Sequence, residues 1–291
     1  HPMNGDNIFD LIVQGYNGVT RSEIKVADYV LKHRPELPHI MIRDLADACG
    51  VSEATITRFC RTVDCLSFND FKMRAAQVLS ADGGSGPASG YGIYGDVQAE
   101  DSIEQKCQKL YHVGTQALQQ TFEMLDYEQI SKVVDCLCDA ENVYCFGQGN
   151  SSIIAMDAWG RFATITSKFH WINDFHMQAV TAATLGANDV ILYFSFSGAI
   201  RELSELGQLM QKTQAKLILV TRFPKSPGAK YADLLLICGA DEAPNQQGSV
   251  AVKMGQLFII DVLFHEYCAR DFKKAQENRE RTLNATAPML L

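Results

Sequence analysis

The chain has 291 residues, 47% hydrophobic and 21% charged, which suits roughly two domains with cores of their own and excludes a disordered chain. Its longest apolar run is too short to span a membrane and nothing at its start reads as a signal peptide, so the expected compartment is the cytoplasm and no membrane partner is expected. The net charge of −8 lies mostly in the later part, because residues 1–80 carry 9 Lys+Arg against 10 Asp+Glu; a near-neutral segment still binds a polyanion through a local patch.

Residues 7–80 read as all helix. Thr20 is a plausible N-cap for a helix to about Lys32, with Ile24, Ala27, Val30 and Leu31 inward. Pro35 and Pro38 interrupt the chain beyond it. A second periodic run, Ile42, Leu45, Ala46 and Cys49, ends at Gly50. After Val51 and Ser52 a third begins, with Ile56, Phe59, Cys60 and Val63 on one face. A glycine-opened turn this short forces two helices to cross steeply, which is the helix-turn-helix arrangement. The opposite face of the third run is expected to hold Thr55, Thr57, Arg58, Arg61 and Thr62, and hydroxyls and guanidinium forks match the chemistry of a DNA groove. Ser67 caps a further helix, with Phe68, Phe71, Ala75 and Leu79 on one side.

Residues 81–97 hold Gly83, Gly84, Gly86, Gly90, Gly92 and Gly95, a density that supports no regular element and marks a flexible linker. Helices are expected over 102–125 and 127–139. Short apolar runs then alternate with helical ones. Strands are expected at 143–146, 168–171, 190–194, 217–221 and 234–237, and helices at 153–165, 176–185, 202–212 and, very short, 229–232. A long apolar helix over 250–267 closes the core. This alternation implies a parallel sheet covered on both faces.

The first strand runs into Gly147-Gln148-Gly149-Asn150-Ser151-Ser152. Two glycines let backbone approach a ligand, and the serines sit where a helix N-terminus offers N–H donors and positive dipole, a combination that holds an anion. A dinucleotide site would want glycine at position 152; a tight structural turn is the plainer alternative. The third strand ends in Ser195-Phe196-Ser197-Gly198-Ala199, with Arg201 and Glu202 opening the next helix. With strand order 2-1-3-4-5, both loops flank the point where the order reverses, and ligands bind outside the carboxyl ends of strands there.

These residues carry a family resemblance. The GxGxS and SxSG loops resemble those of the SIS (sugar isomerase) phosphosugar-binding domain. Ser22-Glu23, Val26-Ala27-Asp28-Tyr29-Val30, Asp44-Leu45-Ala46, Val51-Ser52-Glu53-Ala54-Thr55-Ile56, Arg58-Phe59-Cys60 and Phe68…Phe71-Lys72 resemble the helix-turn-helix domain of RpiR-family transcriptional regulators. Asp174-Phe175-His176-Met177-Gln178 is similar to a further family segment. The resemblance covers about residues 7–270. It implies a helix-turn-helix domain over 3–80, a linker over 81–100, an α/β SIS domain with a five-stranded parallel sheet of flavodoxin-type order over 101–275, and a tail over 276–291. It also implies a dimeric or tetrameric regulator of sugar-metabolism genes that binds a double-stranded DNA operator and a sugar-phosphate effector, and is no enzyme. The sequence departs from the family pattern at Ile200, where threonine is usual, and at Lys253, where arginine is usual.

The expected DNA contacts are Ser52, Glu53, Thr55, Thr57, Arg58, Arg61 and Lys72, with Arg58 placed to read a base edge and Arg61 and Lys72 placed to meet phosphates. The expected sugar-phosphate contacts are Gly147, Gly149, Asn150, Ser151, Ser152, His176, Ser195, Ser197, Gly198 and Arg201. An isomerase remains an alternative, with His176, His265 and Glu242 as acid–base candidates, though no spacing among them demands catalysis. A scaffold used only for dimerisation is the other, motivated by Ile200. No cluster has metal-ligand spacing and no cofactor is expected. The nine cysteines include no CxxC pair and read as small apolar residues; Trp159 and Trp171 read as core or interface residues.

Overall fold

The apolar stripes of the first 81 residues close on one another as a bundle of short helices. The computed structural model describes residues 8–37, 40–81, 97, 100–239 and 250–289, which fall into two units that divide at Val113/Gly114. In the first unit, α1 (Ile8–Gly15) buries Ile8, Phe9, Ile12 and Val13. Helix α2 (Arg21–Lys32) opens with a capping box, in which the Thr20 side chain accepts from the Glu23 N–H and the Glu23 carboxylate accepts from the Thr20 N–H. It buries Val26, Ala27 and Val30, and also Glu23, whereas the expected inward Ile24 and Leu31 are only half-buried.

Helix α3 (Ile42–Cys49) ends at Gly50, whose φ of +62° is the left-handed conformation that a helix C-terminus followed by a tight turn requires. The Val51 N–H reaches back to Ala46 O at 3.0 Å. Ser52 then caps α4 (Glu53–Thr62). Helix α5 (Phe68–Ala81) buries Phe71 and Ala75, and Phe71 meets Phe59 edge-to-face; the expected inward side chain of Leu79 lies outside the described residues. So do residues 82–96, 98 and 99, which carry most of the expected linker, and Pro38 and Glu242.

Helices α6 (Ile103–Glu123) and α7 (Tyr127–Asp139) precede the sheet. Then come β1 (Asn142–Gly147), α8 (Asn150–Ala163), β2 (Phe169–Trp171), α9 (Phe175–Ala182), β3 (Asp189–Phe194), α10 (Arg201–Met210), β4 (Lys216–Thr221), β5 (Leu234–Ile237), α11 (Val250–Arg270) and α12 (Phe272–Thr286). The expected short helix at 229–232 is a 3-10 turn, Ala229–Tyr231. All strand pairs are parallel and the order is β2-β1-β3-β4-β5, the arrangement the alternation implied.

Side chains alternate across the sheet. Val143, Cys145, Val190, Leu192 and Phe194 pack with α7, α8 and α11. Phe146, Ile191 and Tyr193 pack with Ala182 of α9 and Leu203 and Leu206 of α10. Each fully buried side chain of this size contributes about 1.5–3 kcal/mol of transfer free energy, which is why the strands read as continuous apolar runs. Helix α12 occupies most of the tail and buries no residue. It is tied to the end of α8 by Asn278 Nδ2 donating to Ile165 O (2.9 Å) and Thr282 Oγ1 donating to Thr164 O (2.8 Å). All nine cysteines are free, and burial pushes the Cys49 and Cys65 thiols up to about 11 and the Cys60 thiol up to about 12.

Candidate functional site

Among the described residues, two places that combine exposed polar groups with fixed backbone geometry stand out. The first is the outer surface of α4. Ser52 Oγ accepts from the Thr55 N–H at 3.3 Å and so fixes the first turn. Ser52, Glu53, Arg58 and Arg61 are exposed and Thr57 is half-buried, its hydroxyl donating to Glu53 O at 3.1 Å. The expectation of an outward Thr55 is corrected. Thr55 is 5% exposed, one turn before the buried Phe59 and on the same face. Its hydroxyl sits 3.0 Å from Ser52 Oγ and accepts from Arg58 Nη2 at 3.3 Å. Thr55 therefore shapes the helix start and steadies Arg58. Lys72 lies on α5, half-buried, its ammonium 5.8 Å from the Phe68 ring.

The second place is the carboxyl end of the sheet. Gly147 pairs with Phe194, so β1 and β3 end at the same level as neighbours. Each leads through a short loop into a helix without a side-chain cap: α8 follows Gly149 and α10 follows Ile200. At α8 the Ser151 and Ser152 N–H groups donate to Gln148 O (3.0 Å) and Gly149 O (3.1 Å) within the turn; an uncapped start such as that of α10 keeps N–H donors for an outside partner. A Cβ on Gly147 would come within 2.6 Å of Ser151 O, so only glycine lets α8 begin directly above the strand.

The serines of these loops divide into two kinds. Ser152 and Ser195 are buried, at 5% and 3% exposure. Ser152 Oγ donates to Asn173 Oδ1, and Ser195 Oγ accepts from the Gly198 N–H at 3.1 Å. Both hydroxyls brace their loops and are buried, where the sequence leads us to expect open ligand contacts. Ser151 and Ser197 are half-buried and Asn150 is exposed. Asn150 Oδ1 accepts from Lys253 Nζ at 3.5 Å, which brings a cation of α11 to the start of α8. Arg201 is exposed and its Nε donates to Glu205 Oε1 at 2.6 Å along its own helix. His176 is exposed in the first turn of α9. His265 is exposed on α11, against Phe264.

Several residues without any motif of their own brace these loops. Gln148 Nε2 donates to Gln178 Oε1 (2.7 Å), and the fully buried Gln178 donates from Nε2 to Ile172 O (2.7 Å). Thr221 Oγ1 and the Arg222 N–H both donate to Phe196 O, at 3.0 and 3.1 Å, and the Gly228 N–H donates to Gly198 O at 2.8 Å. The loop after β4 thus clamps the Ser195–Gly198 loop. A polar side chain next to a strand end is the only signal sequence carries for such roles. A cavity of about 300 Å³ lies along β5, walled by α7 and α11 residues, and none of the expected ligand contacts lines it. Among the described residues no three His, Cys, Asp or Glu side chains gather as a metal site, and no helix is long and apolar enough to cross a membrane.

Comparison with known proteins finds family matches in both parts of the chain. Residues 6–82 match the helix-turn-helix domain of the rpiR family, and residues 136–266 match the SIS domain. An HTH-type transcriptional regulator of Caldanaerobacter subterraneus is 31% identical over 89% of each chain. The HTH-type transcriptional regulator HexR of Escherichia coli is 29% identical over 96% of this chain and 94% of its own. The structure of Vibrio vulnificus NanR complexed with ManNAc-6P superposes with a TM-score of 0.62 at 24% identity, covering 98% of this chain and 99% of that one. A helix-turn-helix region followed by a SIS domain defines a transcriptional regulator. The chain belongs to the rpiR family of such regulators.

Proposed function

We propose that this regulator binds a phosphorylated sugar at the carboxyl ends of β1 and β3 and a double-stranded operator through α4, so that the effector controls genes of sugar metabolism. The observation that carries the sensing half is the pair of uncapped helix starts at neighbouring strand ends. Gly147, Gly149 and Gly198 let backbone approach the ligand. Ser151, Ser197, Asn150 and Lys253 supply hydroxyl, amide and cationic partners, with His176 at the rim and Arg201 nearby. A phosphate needs several charge-assisted donors at once, and such a site supplies them. NanR, of the same fold, was solved with a phosphorylated amino sugar, which supports the ligand class. On the reading side, Ser52, Glu53, Thr57, Arg58 and Arg61 face the duplex, with Lys72 meeting phosphate.

In this reading the protein is a homodimer or homotetramer with no enzymatic activity, and 3–80, 81–100, 101–275 and 276–291 are head, linker, sensor and tail. Effector binding shifts operator occupancy through its differential affinity for two arrangements of the heads. The test is a melting-temperature panel of phosphorylated sugars on the full chain. One compound should give a saturable rise, lost in Ser151→Ala/Ser197→Ala and reduced in Lys253→Ala. A panel without any saturable rise overturns the sensing half and leaves the SIS domain as a scaffold, the reading that Ile200 favours. Turnover of a sugar phosphate by the full chain would favour the isomerase reading instead.

A further inference from the structure

Glu23 is 5% exposed, yet it lies on α2, outside the helix-turn-helix pair. Both its carboxylate oxygens are engaged. Oε2 accepts from the Thr20 N–H at 2.9 Å and from the Thr20 hydroxyl at 2.6 Å. Oε1 lies 3.0 Å from Thr62 Oγ1, in the last turn of α4, and that hydroxyl also lies 3.1 Å from Arg58 O. A hydroxyl has one proton, and the ionised carboxylate is its stronger acceptor. Burial alone would raise the Glu23 carboxyl. The hydrogen bonds from Thr20 and Thr62, with the field of the Arg58 guanidinium, outweigh that effect and hold it below the usual carboxylate range.

One buried anion thus joins the N-terminus of α2 to the C-terminal turn of α4, one turn beyond Arg58. Arg58 in turn donates to Thr55, whose hydroxyl touches the Ser52 cap. Contacts therefore hold α4 near both ends, its cap through Thr55 and Arg58 and its last turn through Thr62. A capping box needs only Thr20 and the N3 carboxylate; the Thr62 contact lies beyond that need. We propose that Glu23 is a positioning residue of the DNA-reading head: it sets the rotation of α4 and presents the Arg58 fork to a base edge. Pre-organising a fork reduces what is lost on binding, and bidentate base contacts set discrimination more than bulk affinity.

The inference rests on the DNA reading of α4 proposed above, and a double-mutant cycle separates the two. The probe is a duplex recovered by the full-length wild type from a random-sequence pool, with a scrambled duplex of equal length beside it. If the wild type enriches no sequence, the reading of α4 falls and the positioning role with it. If it does, Glu23→Gln should bind the selected duplex about tenfold more weakly, on the scale where one decade is one lost specific contact. The scrambled duplex should change by less than about twofold, since phosphate contacts carry it. In an Arg58→Ala background the same substitution should change binding by less than about twofold. Thr62→Val, which keeps the capping box and removes only the link to α4, should repeat the pattern if Glu23→Gln does not fold. Equal losses on both duplexes, equal losses in both backgrounds, or tighter binding to both duplexes from removal of a bystander negative charge would each overturn the proposal.

Discussion

Gly198 is the position where backbone geometry and packing most sharply restrict the carboxyl end of the sheet. Its φ is +58°, and a Cβ there would meet Ser226 Oγ at 2.1 Å, Ser226 Cβ at 2.6 Å and Thr221 Oγ1 at 3.0 Å. In Gly198→Ala the left-handed backbone alone costs roughly 1–2 kcal/mol. Forcing a methyl against the Ser226 side chain adds the usual overpacking penalty of about 1–3 kcal/mol. The middle of that sum is about 3.5 kcal/mol, which for a unit of this size lowers the melting temperature by roughly 7–14 °C. Calorimetry on the full chain reads the shift in the sheet-containing unit. Ser226→Gly placed in the Gly198→Ala background removes both of the nearest atoms, so it should recover the packing part and leave the backbone part. A drop of less than about 2 °C in Gly198→Ala, or no recovery on removing the Ser226 side chain, would refute the claim that this loop is wedged between its own turn and the next.

The head offers two further tests. Ser52→Ala removes the cap of α4 and the neighbour of the Thr55 hydroxyl; it should cost about 1 kcal/mol, read as a loss of roughly 4–8 °C in the helical unit, and Ser52→Asp should restore most of it. The lowered Glu23 carboxyl gives a pH dependence of defined sign. Its contribution is complete above the unfolded value of about 4.3 and is lost as pH falls through the folded value. The stability gap between wild type and Glu23→Gln, measured by urea melts, should therefore be largest near neutrality and shrink below about pH 4; a constant gap down to acid would contradict the assignment.

The sheet order was legible because parallel strands buried on both faces read as unbroken apolar runs, and the alternation with helices leaves few topologies. The turn at Gly50-Val51-Ser52 was legible because left-handed backbone and helix capping each demand particular residues. What stayed hidden was the direction of small polar side chains. Thr55 reads as polar and therefore outward, yet it lies one turn before Phe59 on the buried face. Ser195 and Ser152 have the same chemistry as Ser197 and Ser151, and only the folded loops show which pair bonds inward. Glu23 carried half a signal: Thr20-x-x-Glu23 spells a capping box, but the bond to Thr62 spans 39 positions and has no local trace. The brace at Thr221, Arg222 and Gly228 is hidden for the same reason, since it is made by a different crossover from the loop it holds.

Helix α12 hides no side chain, and two side-chain-to-carbonyl bonds anchor it to the chain just beyond α8. A stretch of that length has little intrinsic tendency to persist in water on its own. Its amide protons should therefore trade with solvent through local fraying, long before those of the strands. An exposed position on α12 is accordingly a forgiving place for a fluorescent label, since a group attached there perturbs almost none of this chain's interior.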